Sequence, residues 1–480
     1  MSLPLLDRTL VPRSRRPERI LQFGGGNFLR GFADWVVHEM NEKLDFNAGV
    51  VVVQSVSQTG VRQYNAQEGL YTLMLTGMQD GTAKQEITVV DCIQRALSAT
   101  YDFEDFLALA RSESIEVVLS NTTENGIVFD KNDALTDVPP GSFPGKLTRL
   151  LYERYLFFSG QQDKGWVIIP CELIEDNGTR LKHIVLQLAE TWQLPDGFQQ
   201  WLEASCTFCN TLVDRIVSGY PNNAAEIQAK LGYTDELLTE GESFYLWVIT
   251  ASPAVQKVFP ADQAGLQVVF ASDIHPYRVR KVRILNGAHT AMVPLAYLYG
   301  LRTVRESVED PLLGNFIEKL VFEEILPTLD LPSDSLRSYA FDVLNRFRNP
   351  FIRHQLISIA LHATAKFTTR ILPSLLEYHQ RMGKLPERIV LAFAAQLVFY
   401  RGVTLSGETI ALNDDPAVLT FFQQVWEAHG EDIPTLVQVI LAEKSCWGMD
   451  LLEVPGLAER LSGAVSDLLT QPLTDVLDRF

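Results

Sequence analysis

Arg19-Ile-Leu-Gln-Phe-Gly24-Gly-Gly26-Asn-Phe28-Leu-Arg30 joins a short apolar run to a glycine turn and then to the start of a helical pattern. A strand, then Gly-x-Gly, then a helix is the setting a dinucleotide pyrophosphate requires. The glycines allow a tight turn and close backbone approach, and the helix N-terminus favours the phosphates. Phe23, Gly24, Gly25, Gly26, Asn27 and Phe28 are therefore expected to contact a cofactor. The third position of the fingerprint is Leu29, where Gly or Ala is usual. A purely structural turn is the competing reading.

Outward from this turn the first half of the chain alternates short β-type runs with helical patterns. Strands are expected at residues 19–23, 50–55, 87–91, 116–120, 166–170, 244–250 and 266–270. Several are unbroken apolar runs, such as Val50-Val-Val-Val53 and Val117-Val-Leu119. That is the mark of strands buried on both faces of a parallel sheet. Beyond about residue 275 the β signal stops. Helices are expected at residues 281–299, 311–326, 334–346, 351–379, 387–401, 416–428, 433–443 and 455–469, with breaks at Gly and Pro. The expected class is α/β: a Rossmann-like doubly wound domain over residues 1–274 and a mostly α-helical substrate domain over 275–480.

In a doubly wound sheet the strand C-termini line the cofactor crevice. The second strand ends at Gln54, which can bond ribose hydroxyls; no arginine follows at once, although Arg62 is near, so NAD is favoured over NADP. The fourth ends in Ser120-Asn-Thr122-Thr123-Glu124, which makes Thr122, Thr123 and Glu124 candidates for the nicotinamide ribose; a polar turn is the alternative. Asn177 follows the fifth strand and is a candidate for substrate. So is Asp214, read with Arg215 as part of a helix, where adjacent side chains do not face each other. Cys206-Thr-Phe-Cys209 is a lone CxxC, read as two core thiols on a helix.

Lys281-Val-Arg-Ile-Leu-Asn286-Gly-Ala-His289 places an amine, an amide and an imidazole on an apolar segment. At about 100° per residue the three project at roughly 0°, 140° and 80°, on one side of a helix. Apolar surroundings disfavour the charged amine and would prepare it as a general base. Asn286 can donate to a developing alkoxide, and His289 can hold a substrate hydroxyl. A snorkelling lysine with two satisfied helix polars is the alternative. The segment opens the helical domain, where a two-domain enzyme would have its cleft. Arg278, Arg346 and Lys366 are nearby basic candidates for an anionic substrate.

The chain has 480 residues, 46% of them hydrophobic and 21% charged, and a net charge of −18. This composition is globular, and its sign argues against nucleic acid or an anionic membrane as partner. No run has the length of a membrane span and no secretory signal opens the chain. Five sparse cysteines suit a reducing cytoplasm. No metal site is expected.

In this order the pieces resemble the mannitol dehydrogenase family of polyol-specific long-chain dehydrogenases. The resemblance is carried by K-x4-N-x2-H at Lys281, Asn286 and His289, by the Gly-x-Gly-x-Phe turn, by Gln67-Glu-Gly-Leu-Tyr-Thr72, by Thr123-Glu124-x-Gly126 and by Val213-Asp-Arg-Ile216. It implies metal-free hydride transfer with NAD, a lysine acid/base at Lys281 and an oxyanion donor at Asn286; a closer match within the family, carried by Ser120-Asn-Thr-Thr-Glu124, Ile168-Ile-Pro-Cys-Glu-Leu-Ile174 and Arg346-Phe-Arg-Asn-Pro350, implies a small keto-sugar acid as substrate. Two departures stand out. The family's first oxyanion-hole asparagine is replaced by Leu173, and the acid three residues before the lysine is replaced by Arg278. The second change suits a carboxylate-bearing substrate. A nucleotide-sensing protein on the same scaffold is the rival from another class; it would not need the lysine set. Substrate stereochemistry and oligomeric state are not legible.

Overall fold

In the computed structural model the described residues are 3–54, 58–79, 82–122 and 126–480. They form two compact units. Residues 1–76 with 84–274 make the first, and residues 77–83 with 275–480 the second.

The first unit is built on a six-stranded parallel sheet: β1 (Glu18–Phe23), β2 (Gly49–Gln54), β3 (Ile93–Ser98), β4 (Val117–Ser120), β5 (Val167–Pro170) and β6 (Thr207–Phe208). Their order in space is β3-β2-β1-β4-β5-β6. This is the Rossmann order, and the chain reverses direction across the sheet between β1 and β4. The apolar runs have two faces to cover. Ile20, Val50, Val52, Val117 and Leu119 pack with Trp35, Val36, Val37 and Met40 on one side. Leu21, Phe23, Val51, Val53 and Val118 pack with Leu147, Leu150, Leu181 and Val185 on the other. Each such valine or leucine contributes roughly 1.5–3 kcal/mol on burial.

Three expectations are corrected. The third strand of this sheet is Ile93–Ser98, not residues 87–91. It reads poorly because Arg95 interrupts it; as an edge strand it can carry Arg95, which pairs with Glu18 at 2.7 Å. Residues 87–90 end a different strand, Thr82–Val90. That strand lies in a four-stranded sheet with Tyr71–Gln79, Thr239–Glu242 and Val217–Gly219, and its first six residues are exposed. Thr211–Asp214 is a strand and not a helix, because it pairs antiparallel with Leu246–Thr250, itself parallel to Val268–Ala271. Asp214 and Arg215 still have separate surroundings, since successive strand residues point to opposite faces. Cys206 and Cys209 flank β6; both are buried, and burial pushes each thiol up to about 12.

A helical break at Phe32 divides the first crossover helix into α1 (Asn27–Gly31) and α2 (Ala33–Lys43). The second unit is helical from α3 (His275–Lys281) and α4 (Gly287–Tyr299) onward, through α5 (Ser333–Phe347), α6 (Ala363–Arg370), α7 (Leu372–Met382), α8 (Glu387–Phe399) and α9 (Leu457–Thr470). Its centre is α8, whose residues from Ile389 to Phe399 are all buried. A helix apolar on every side must lie inside, and α8 packs against both α4 and α9. The single helix expected over 351–379 is broken. His362 is left-handed at φ 51°, and Pro373 stands in the first turn of α7. Among the described residues no helix is long and apolar enough to cross a membrane.

Candidate functional site

The glycine turn leaves the C-terminal end of β1 beside β4, at the reversal point where such sheets bind ligands. Each glycine has its own reason. Gly24 has φ +103°, and a Cβ there would stand 2.8 Å from the carbonyl oxygen of Asn121. A Cβ on Gly25 would meet the Gln54 amide at 2.4 Å and the Tyr64 ring at 2.9 Å. Gly26 has nothing within 4 Å of its would-be Cβ, so the turn presents open backbone there. Leu29 is buried and its Cδ1 fills the space under Gly24.

The turn is braced from below by residues that sequence reasoning did not assign. The Arg30 guanidinium donates to the Gly25 carbonyl at 2.9 Å, to Thr239 at 2.8 Å and to Asn27 Oδ1. Tyr64 OH also donates to the Gly25 carbonyl, at 3.0 Å. Asn27 is thus engaged within the turn, and Phe28 stacks on Phe32 at 5.0 Å. The Phe23 side chain is in the core against Phe106 and Phe143, so only its backbone faces the turn. Gln54 ends β2 half-buried over Gly25 and Gly60. Arg62 donates to Gln58 within its own helix at 3.4 Å.

At the end of β4, the buried Glu172 accepts from Ser120 Oγ (3.0 Å), Thr122 N (3.0 Å) and Thr122 Oγ1 (2.9 Å). Burial raises its carboxyl above the usual range despite these bonds. Thr122 is thereby locked in place at the reversal point; Thr123 and Glu124 lie outside the described residues. Asn177, a candidate for substrate from the sequence, has its amide engaged within the protein. It is fully buried, its Nδ2 donates to Pro170 O, Glu172 O and Thr211 Oγ1, and its Oδ1 accepts from the backbone of Gly178 and Thr211. Its amide has no capacity left for a ligand; it ties β5 to the helix that follows. Asp214 is buried at the end of its strand in the same unit.

The second unit holds the lysine set, and its backbone departs from the expected helix. Residues Val282–Asn286 form a π turn between α3 and α4. In a π turn the repeat is i to i+5, and such turns concentrate at functional sites. Lys281 and Asn286 are five apart, so one wide turn stacks them on one face, where an ideal α-helix would separate them by roughly 140°. The face is less apolar than expected: Lys281, Arg283 and Asn286 are half-buried. The Asn286 carbonyl accepts from Thr290 Oγ1 at 2.9 Å. His289, in the first turn of α4, stacks on Phe347 with centroids 4.2 Å apart and meets His354 edge-on at 5.3 Å. Burial, and then the charges of His354, Arg346, Arg370 and Lys366, hold it well below the ordinary histidine range. It is a neutral imidazole at physiological pH, with an Nε2 that has no partner among the described residues.

The charges of Arg346 (α5), Lys366 (α6) and Arg370 reach His289, and His354 meets its ring. The i, i+4 spacing of Lys366 and Arg370 was the available signal for Arg370. Arg278 lies on α3, half-buried, three residues before Lys281. Two other features carry no such chemistry. In the His38, Glu42 and Asp91 cluster, Arg16 bonds Asp91 at 2.8 Å and Glu42 at 3.5 Å, which puts a cation among the would-be metal ligands. In a cavity of about 420 Å³ lined by Glu323, Arg388 and Arg460, Arg388 pairs with Glu323 at 2.9 Å and Arg460 with Glu387.

A Rossmann sheet with an open glycine turn, followed in the chain by a helical unit, is the make-up of a dehydrogenase. The chain matches the mannitol dehydrogenase Rossmann domain over residues 18–261 and the mannitol dehydrogenase C-terminal domain over 273–469, and it belongs to the mannitol dehydrogenase family. It is 51% identical over 447 residues to the altronate oxidoreductase of Bacillus subtilis (strain 168), covering 93% of this chain and 92% of that one. It is 45% identical over 477 residues to the altronate oxidoreductase of Escherichia coli O7:K1, covering 98% and 99%. Among solved structures, a substrate-free D-sorbitol dehydrogenase superposes with a TM-score of 0.81 at 22% identity, covering 98% of this chain and all of that one. The Pseudomonas fluorescens mannitol 2-dehydrogenase complex with NAD and D-mannitol gives 0.65 at 22%, covering 97% and 94%. These two establish the likeness of fold.

Proposed function

We propose that the protein is an NAD-dependent altronate oxidoreductase, interconverting D-tagaturonate and D-altronate in hexuronate breakdown. The observation that carries this reading is that the charges of Arg346, Lys366 and Arg370 all act on the neutral His289, which stands one turn beyond Asn286 and about two turns beyond Lys281. Such a site suits a sugar that bears a carboxylate, and the relatives of highest identity named above are altronate oxidoreductases.

The first unit fits a nicotinamide dinucleotide. Gly24, Gly25 and Gly26 would hold the pyrophosphate, Gln54 the adenosine ribose, and Thr122 the nicotinamide ribose. No arginine directly follows Gln54 in the sequence to take a 2′-phosphate, which favours NAD. The bound nicotinamide supplies or takes up the hydride at the carbon. The remaining steps belong to this chain. Lys281 as ammonium gives a proton to the forming alkoxide oxygen, and as amine it takes the proton back in the oxidative direction. Asn286 donates a hydrogen bond to the same oxygen, and His289 holds a neighbouring hydroxyl.

The test is oxidation of NADH by the purified protein with D-tagaturonate, with D-fructuronate and D-fructose in parallel. Rapid oxidation with D-tagaturonate alone is expected. Preference for D-fructuronate or D-fructose would move the reading to a fructuronate reductase or a neutral polyol dehydrogenase. No turnover with any, under NADH and NADPH, would favour a nucleotide sensor.

The cofactor assignment has its own prediction. Gly26 has φ −77° and ψ 167°, open to any residue, and no neighbour to strike. Gly26→Ala should therefore leave the melting temperature within about 2 °C while raising the KM for NADH at least ~10-fold, because the methyl stands where the pyrophosphate approaches. An unchanged KM for NADH would remove the turn from the cofactor site.

A further inference from the structure

Lys366 and Arg370 are four residues apart on α6, hence on one face and one turn from each other. Both are half-buried, and burial together with their mutual repulsion depresses the Lys366 ammonium. Burial depresses the Arg370 guanidinium as well. Their protein partners are neutral and few. Lys366 Nζ donates to the Ile359 carbonyl at 2.8 Å, and Arg370 Nη1 makes a long 3.4 Å contact with Thr290 Oγ1. Among the described residues neither lies within ion-pair distance of a carboxylate; the pull of Asp414 on Lys366 comes from farther off. Other arginines of this unit do have such partners, as Arg381 has in Asp330 and Arg388 in Glu323. Arg346 has Asp342 one turn before it on α5 and interacts with it.

Two neighbouring cations held half out of water and without a counter-ion are costly, and a bound anion removes the cost. Their position gives the anion a place relative to the chemistry. Thr290, which Arg370 touches, adjoins His289 and bonds the carbonyl of Asn286. We infer that Arg370, with Lys366, forms the subsite that takes the substrate's carboxylate, and that this subsite selects sugar acids over neutral sugars of the same skeleton. The inference rests on the reading of the protein as a sugar-acid reductase. A uronate bears its carboxylate at the end of the chain remote from a ketone beside the other terminus. A carboxylate subsite on a different helix from Lys281 fits that separation. The planar guanidinium of Arg370 takes two carboxylate oxygens side by side, and Lys366 adds charge.

The experiment compares wild type, Arg370→Gln and Arg370→Ala on an acid and its neutral counterpart, D-tagaturonate against D-tagatose and D-fructuronate against D-fructose. For the uronate that wild type reduces, both variants should raise KM roughly 10- to 100-fold, the loss of one charge-assisted hydrogen-bonded contact, with kcat little changed. The kcat/KM for the neutral ketose should stay level or rise. Added ethylguanidinium should lower the KM of Arg370→Ala for the uronate and leave the neutral ketose unaffected. Equal losses on acid and neutral substrates without rescue would reveal a merely structural arginine and overturn the subsite. So would a wild-type KM for the uronate in Arg370→Gln. A wild-type enzyme that reduces neither uronate would instead remove the functional reading on which the subsite stands.

Discussion

Lys281→Ala should lose most of its turnover, roughly 10²- to 10⁴-fold in kcat, the range by which a positioned acid/base contributes, while NADH binds as before. The expectation follows from placement. Lys281 ends α3 where the π turn begins, and the i to i+5 repeat of that turn leads from it to Asn286. The residues proposed for the cofactor belong to the other compact unit, and the substitution leaves that unit untouched. Fluorescence titration with NADH, beside steady-state rates with D-tagaturonate, separates the two effects. Near-normal turnover would end the assignment of Lys281. Loss of NADH binding along with turnover would point to a damaged fold.

Asn286→Asp should lower kcat by about 10²- to 10³-fold, the usual cost of one oxyanion donor, with little change in KM. The substitution keeps size and shape and replaces the only donor on the side chain with an acceptor. It also puts a negative charge where negative charge develops. The backbone at this position is held independently, through the carbonyl that accepts from Thr290 Oγ1, so the π turn should survive. Rates at saturating substrate, with a melting curve for each variant, measure the effect. A variant that melts like wild type and retains turnover would reassign the oxyanion donor.

The elements legible in the sequence were those whose reason is local. The valine run of β2 and the Val-Val-Leu of β4 announce strands covered on both sides, because apolar residues at every position leave no face for water. The glycine turn is legible because Gly24 needs a backbone that other residues rarely adopt. The helices of the second unit followed from their apolar period. Elements whose reason is distant were misread. The Ile93–Ser98 strand is broken by Arg95 and is held by Glu18, 77 residues away. Thr211–Asp214 looks helical until Leu246–Thr250 pairs with it. The bonds of Asn177 to Thr211 are likewise beyond reach of the sequence, since the two residues stand 34 apart.

The same division runs through the candidate site. By itself the sequence determined which chemical groups are present and in what order: three glycines after a strand, then the spacing of Lys281, Asn286 and His289, and a scatter of basic residues beyond. Those follow from composition and short-range sterics. Only the tertiary structure decided the π turn between Lys281 and Asn286, the Arg30 and Tyr64 brace under the glycines, and the reach of the Arg346, His354, Lys366 and Arg370 charges to His289. Each of these depends on groups far apart in the chain or on one extra residue accommodated in a turn. Their energies arise from burial and from charges acting through a poorly screened interior, and neither exists until the chain has folded.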